Sequence, residues 1–193
     1  MPIGIGATDD LIMELSKFSK QEVPYEIEEE RGQLVDIMVD SHPYYDKKKV
    51  ALYGDPDVLI SLSKFLLELG MIPKYVITGT PSSAFDKEMK ALFEEYGVED
   101  CIAKQDADLF ELHQLIKNEP VDLLMGGTHG KYIARAEDIP LVRIGFPVLD
   151  RYVHPYMPTV GYRGAMRLLE LMLGALMDRQ DRDAKEEDFE LVM

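Results

Sequence analysis

The chain has 193 residues, 46% hydrophobic and 30% charged, which is enough apolar material for one packed domain and too much for a disordered chain. Its net charge of −15 opposes phosphate backbones and anionic bilayers, so neither nucleic acid nor a membrane is an expected partner. A single cysteine, Cys101, excludes an internal disulfide framework and a metal–sulfur cluster held by this chain alone; with no apolar run of about 20 residues and no signal-peptide pattern, the expected setting is cytoplasmic.

Residues 1–7 are apolar and Gly-rich without a strand or helix period, and read as a connecting loop inside a longer chain. Thr8-Asp9-Asp10 is a helix N-cap cluster, and Leu11, Ile12, Leu15 and Phe18 follow at helical spacing up to Pro24. A second helix is expected from about Ile27 to His42, with Leu34, Val35, Met38 and Val39 on its apolar face and Pro43 closing it. Residues 1–46 thus form a helical segment that precedes the main domain, residues 47–193.

From Lys49 a strand–helix alternation begins. Lys49–Tyr53 is a short strand; Asp55 and Pro56 suit the cap and first position of a helix carrying Leu59, Leu62, Phe65, Leu66 and Leu69, stopped at Gly70. Tyr75–Thr78 is a second strand, followed by a helix with Phe85, Met89, Leu92, Phe93 and Tyr96. Asp100–Ala103 is a weaker third strand, followed by a helix with Leu109, Leu112, Leu115 and Ile116. Val121–Met125 is the fourth strand, a short helix lies near 131–135, and Leu141–Ile144 is the fifth. A last helix runs from about Thr159 to Arg179 with Tyr162, Met166, Leu169, Met172, Leu173 and Leu176 inward, and the charged tail after Asp181 is expected to be loose. Short apolar strands alternating with helices predict an α/β fold. The expected sheet is Rossmann-like, doubly wound and parallel, with four to five strands in the order 3-2-1-4-5 and two helices preceding it. Ligands of such sheets meet the loops at the carboxyl ends of the strands, here Gly54–Asp57, Thr78–Ser83, Gly126–Lys131 and Gly145–Asp150.

The loops argue against a dinucleotide. Gly54-Asp55-Pro56-Asp57 has one glycine and two carboxylates where a pyrophosphate needs several glycines, and reads as a capped strand-to-helix turn. Gly126-Gly127-Thr128-His129-Gly130-Lys131 lacks phosphate-loop spacing; a tight turn is the simpler reading, with capture of a small anion by its amides and Lys131 as the alternative. Asp36 and Asp40, four apart on one helix, point the same way. Two acids on a solvated face are the commoner case, but aligned carboxylates can also bind a hard cation such as calcium, magnesium or iron(II) when other oxygen ligands join them. His42, His113, His129 and His154 show no metal-ligand spacing, His113 reads as a boundary residue beside Leu112, and no base accompanies Ser82-Ser83.

Several strings occur in an order that resembles a known family. They are residues 2–9 (PIGIGATD), 30–36 (ERGQLVD), 40–42 (DSH), 54–57 (GDPD), 64–70 (KFLLELG), 130–133 (GKYI), 142–147 (VRIGFP), Asp150-Arg151 and 161–166 (GYRGAM). Together they cover nearly the whole chain, which resembles the C-terminal part of the β subunit in the nitrogenase molybdenum–iron protein (component 1) family. The resemblance implies an α2β2 assembly that takes electrons from a separate ATP-dependent iron protein and reduces dinitrogen. Its partners would be an α subunit, a second β subunit and that iron protein. It implies a P-cluster ligated from the N-terminal half of the β subunit and an iron–molybdenum or related cofactor in the α subunit, so no cluster ligand falls on this chain. By the family's spacing the position matching the α-subunit histidine ligand is Arg151, not His154. The resemblance also implies that Asp36 and Asp40 help bind a metal ion, calcium or iron, at the β–β interface, completed by residues of the other β subunit. Ser83 stands where molybdenum-type chains often carry a lysine on the reductase side, which leaves vanadium-type and iron-only groups open. Rival readings are a cofactor-assembly scaffold and a free-standing module binding a small anion at Gly126–Lys131.

Overall fold

The computed structural model describes residues 1–185. The chain starts with two helices, α1 (Ile5–Ser19) and α2 (Tyr25–Tyr45). An alternating series follows: β1 (Lys49–Tyr53), α3 (Pro56–Glu68), β2 (Ile72–Ile77), α4 (Phe85–Tyr96), β3 (Ile102–Lys104), α5 (Leu109–Asn118), β4 (Leu123–Gly126), α6 (Lys131–Ala136), β5 (Leu141–Arg143) and α7 (Gly161–Asp183). The five strands form one all-parallel sheet in the order β3-β2-β1-β4-β5, as expected from the alternation.

The pleat sorts the strand residues onto two cores. Val50, Leu52, Val76, Leu123, Met125 and Val142 face the side covered by α3, α4 and α7. Ala51, Tyr75, Ile77 and Leu124 face α5 and α6 through Leu112, Ile116 and Ile133. The strands are therefore apolar on both faces, the pattern of a sheet sandwiched between helices. Helices α1 and α2 join the first core: Ile3, Leu34 and Tyr45 are buried in it together with Phe65, Leu168 and Leu169.

Several boundaries differ from the sequence reading: β2 starts three residues earlier and β3 two residues later than expected, and the changes in α1, α2 and α7 have tertiary reasons. Helix α1 begins at Ile5, inside the expected loop, because both carboxylate oxygens of Glu68 accept the free N–H groups of Ile5 and Gly6, each at 3.1 Å. Thr8 is then not a cap; it lies in the first turn and its hydroxyl donates back to the Gly4 carbonyl at 2.6 Å. Pro24 does not close the first unit but sits at the N-cap of α2. That helix runs through Pro43 to Tyr45, where the buried Tyr45 ring and its hydroxyl, which donates to the Met38 carbonyl, hold the last turn against the sheet. At the other end of the chain α7 continues past Arg179 to Asp183, since Arg182 chelates Asp138 with two bonds of 2.8 Å. The rest of the expected loose tail, residues 186–193, lies outside the described residues.

Candidate functional site

In a doubly wound sheet the crevice opens where the strand order reverses, between β1 and β4. Here that crevice is filled. The Tyr53 side chain, at the end of β1, reaches across the Gly-rich loop. Its hydroxyl donates to the Gly127 carbonyl and accepts the Gly130 N–H at 2.8 Å. The glycines make room for this ring: a Cβ on Gly126 or Gly130 would lie 2.4 or 2.2 Å from Tyr53 atoms, and one on Gly127 would lie 2.7 Å from the Pro147 carbonyl oxygen. The loop is thus glycine-rich to accept Tyr53 and the 145–150 segment, not to cradle a phosphate. Burial pushes the Tyr53 phenol up to about 12, so it stays protonated and keeps donating across the physiological range.

The mouth of the crevice carries a carboxylate held in an ion pair. Asp150 accepts from the Thr128 hydroxyl at 3.0 Å and from Arg143 at 2.9 Å; the Thr128 oxygen in turn accepts the Leu149 N–H at 2.7 Å. Arg143 holds the Asp150 carboxyl below its ordinary range. Lys131, the cation of the anion-binding alternative, has its ammonium 5.2 Å from the Tyr132 ring centroid in a cation–π contact. Asp55 is the N-cap of α3 through its backbone only, and Pro56 holds the first helical position. A nucleotide would find here a ring, a carboxylate and no free nest of amides.

The sequence-predicted metal residues lie elsewhere. Asp36 and Asp40 are exposed on α2, one turn apart, and neither makes an ion pair or hydrogen bond among the described residues. No third His, Cys, Asp or Glu joins them into a cluster there. By themselves two carboxylates offer two to four of the roughly six to eight oxygens a calcium ion takes. Of the histidines, His113 bonds Glu137 at 2.6 Å, which matches its boundary reading, and His42 packs edge-on against Tyr45 and faces Asp46 at 3.8 Å. His154 borders the cavity beneath the 150–154 loop, where burial first and the Arg167 charge second hold its pKa below the ordinary value. Burial pushes the Cys101 thiol up, and the Lys74 charge opposes that shift. Ser82 receives the Gln105 side-chain oxygen on its backbone N–H at 2.6 Å, Gln105 in turn bonds Asp86 at 2.6 Å, and Ser83 is exposed.

Sequence reasoning missed the polar ties that hold these parts. Besides Asp150, they include Asp9, which chelates Arg31 at 2.9–3.0 Å and accepts from Tyr162 at 2.6 Å, and Glu119, which bridges Lys49 at 2.6 Å and Lys74 at 2.9 Å. Their partners lie 7 to 153 residues apart in sequence, beyond the reach of any local pattern. Among the described residues no helix is long and apolar enough to cross a membrane.

Comparison with known proteins gives the same picture. Residues 1–177 match the family described as nitrogenase component 1 type oxidoreductase. The chain is 56% identical over 191 residues to the nitrogenase molybdenum-iron protein beta chain of Clostridium pasteurianum, covering 99% of this chain and 42% of that one. It is 40% identical over 192 residues to the corresponding chain of Frankia alni, covering 98% and 36%. A solved structure of nitrogenase Cp1 at pH 6.5 superposes with a TM-score of 0.97 at 56% identity over 100% of this chain and 42% of its own. Another Cp1 chain, solved at pH 5, shares the fold at 12% identity with a TM-score of 0.68. The chain therefore spans less than half the length of these relatives. The chain belongs to the nitrogenase component 1 type oxidoreductase family.

Proposed function

We propose that this chain acts as the C-terminal domain of a nitrogenase component 1 β subunit, a structural and interface element of an enzyme that reduces dinitrogen. The observation that carries the reading is the 0.97 TM-score over the whole chain at 56% identity to Cp1. The filled crevice supports it, because a domain whose own switch point is plugged by Tyr53 contributes surfaces, not chemistry. Residues 1–46 serve as the helical connector and residues 47–193 as the Rossmann-like domain, the connector sharing the domain's core through Ile3, Leu34 and Tyr45. The setting is cytoplasmic. The partners are an α subunit, a second β subunit and the iron protein reductase, and the P-cluster and iron–molybdenum or related cofactor sit on other parts of that assembly, where they supply the redox chemistry. Asp36 and Asp40 supply two carboxylates to a calcium or iron ion completed by a partner β subunit.

The test is a chimeric β chain in which this sequence replaces the matching 42% of the Clostridium pasteurianum chain. The chimera should copurify with its α subunit and reduce dinitrogen to ammonia. A chimera that folds but recruits no α subunit would refute the assignment. In the same complex, Asp36→Asn with Asp40→Asn should remove the interface ion, and anomalous scattering that still shows it would refute the metal role.

A further inference from the structure

The segment 139–169 reverses the charge of the chain. It holds four arginines against one aspartate, a surplus of three positive charges in a protein of net charge −15. The same stretch exposes Phe146, Leu149, Tyr152, Val153 and Tyr156. Beneath it lies an open cavity of about 580 Å³, bounded by β5, the 150–154 loop and α7, with Arg143, Arg151 and Arg167 on its walls.

Arg167 is the unusual member. Of the two arginines that form no ion pair among the described residues, Arg135 is exposed and freely hydrated, whereas Arg167 is half-buried and makes no hydrogen bond either. Its Nε is shut off from solvent without a partner, and so is the Nε of Arg143, which lines the same cavity. A buried donor left unmade costs free energy, and a guanidinium left half-buried without a counter-charge costs more. The acids at this cavity do not relieve it. Asp150 is taken by Arg143 and Thr128, while Glu170 and Asp178 are exposed and pair with no cation within 4 Å.

We propose that this cavity is a carboxylate-binding site, in which the terminal guanidinium nitrogens of Arg167, whose Nε is closed off, make the charged contact, Arg143 adds positive potential, and Tyr152 and Val153 wall the apolar part of the ligand. The planar guanidinium fork donates two parallel N–H bonds to a carboxylate or a phosphate alike, and a carboxylate suits the site better because the acids at the rim disfavour a second negative charge on one group. The neighbouring His154, neutral at pH 7 because burial and Arg167 depress its pKa, offers one further hydrogen bond without competing charge.

Two sources supply such a carboxylate, a free small dicarboxylic acid and an aspartate or glutamate side chain of another polypeptide, and one experiment separates them. The Nε–Hε resonances of the 15N-labelled 193-residue chain are followed during titration with sodium succinate, and separately with a tripeptide of blocked ends bearing one aspartate, at ionic strength held constant with sodium chloride. The Arg167 resonance should shift and saturate with at least one probe. Tighter binding of succinate marks a free acid as the ligand; equal or tighter binding of the tripeptide marks a protein side chain. Arg167→Gln should weaken binding at least tenfold, and Arg167→Lys, which keeps the charge but loses the fork, should also weaken it. Arg163→Gln, which alters an exposed arginine paired with Glu30 at 2.7 Å, should leave it unchanged. Shifts that fail to saturate with both probes or that chloride alone reproduces, or shifts of the Arg143 Nε–Hε resonance that keep the parent affinity in both Arg167 variants, would overturn the proposal.

Discussion

Tyr53→Phe removes one oxygen and leaves the ring in place, so it isolates the hydroxyl that closes the crevice. The oxygen is bonded twice, donating to the Gly127 carbonyl and accepting the Gly130 N–H at 2.8 Å, and both glycines are buried. Leaving a buried backbone group unsatisfied costs about 1–3 kcal/mol, so two such groups set an expected loss of about 2–4 kcal/mol after partial relief by neighbouring bonds. For a domain of this size each kcal/mol lowers Tm by about 2–4 °C, which predicts a fall of roughly 4–16 °C. Urea denaturation followed by circular dichroism measures the first quantity and thermal scans the second. Geometry adds a sharper check. A Cβ on Gly130 would lie 2.2 Å from the Tyr53 hydroxyl oxygen but 2.8 Å from the nearest ring carbons. Gly130→Ala should therefore cost less in the Tyr53→Phe background than in the parent. A loss under about 0.5 kcal/mol for Tyr53→Phe, or Gly130→Ala costing the same in both backgrounds, would refute the view that this hydroxyl organises the loop.

Two further perturbations probe the ties that local sequence does not show. Glu68→Ala removes the acceptor for the Ile5 and Gly6 N–H groups and should cost about 0.5–2 kcal/mol, the range of a lost N-cap; hydrogen exchange at those two amides should quicken while exchange in β1 is unchanged. Asp150, whose carboxyl Arg143 and then Thr128 hold below its ordinary value of 3.8, adds stability that is present above pH 3.8 and lost as pH falls through the depressed folded value. Asp150→Asn should flatten that part of the acid-unfolding curve, and an unchanged acid limb would show that the Arg143 pair is not maintained in solution.

The order of the sheet was legible because each strand is short, apolar on both faces and separated from the next by an amphipathic helix, and because right-handed crossovers leave few ways to arrange five such units. The absence of a dinucleotide fingerprint at Gly54–Asp57 was legible for the same local reason: charge and glycine spacing can be read along the chain. What was not legible depends on contacts across it. The start of α1 is set by Glu68, 63 residues away from Ile5, and the passage of α2 through Pro43 by the burial of Tyr45. The Gly126–Lys131 loop could be read as a tight turn, but not why it is rich in glycine; that reason is an aromatic ring arriving from residue 53. Similarly, nothing in the sequence around Arg167 distinguishes it from the paired Arg163 four residues earlier.

The plug at the switch point raises the question of whether shape or charge keeps the crevice from holding an anion, and Tyr53→Ala separates them. Removing a half-buried aromatic ring that packs between glycines should cost about 3–5 kcal/mol, enough to lower Tm well beyond the Tyr53→Phe value but within the stability of many domains. It also frees the Gly130 N–H and opens the loop where a phosphate would sit. If shape alone excluded anions, the variant would bind inorganic phosphate. The Asp150 carboxylate and the Pro147 carbonyl oxygen remain beside the loop, however, and the Lys131 ammonium stays over Tyr132. Two bare unit charges 4 Å apart repel by about 4 kcal/mol at the effective dielectric of a protein surface; Arg143, paired with Asp150 at 2.9 Å, offsets part of that, and the remainder opposes the small net return of a few backbone N–H bonds to a phosphate. Calorimetric titration of Tyr53→Ala with phosphate should therefore show no binding, while Tyr53→Ala combined with Asp150→Asn should show weak binding. Phosphate binding by Tyr53→Ala alone would mean that the ring, not the charge, is what denies this family member the usual ligand of its fold.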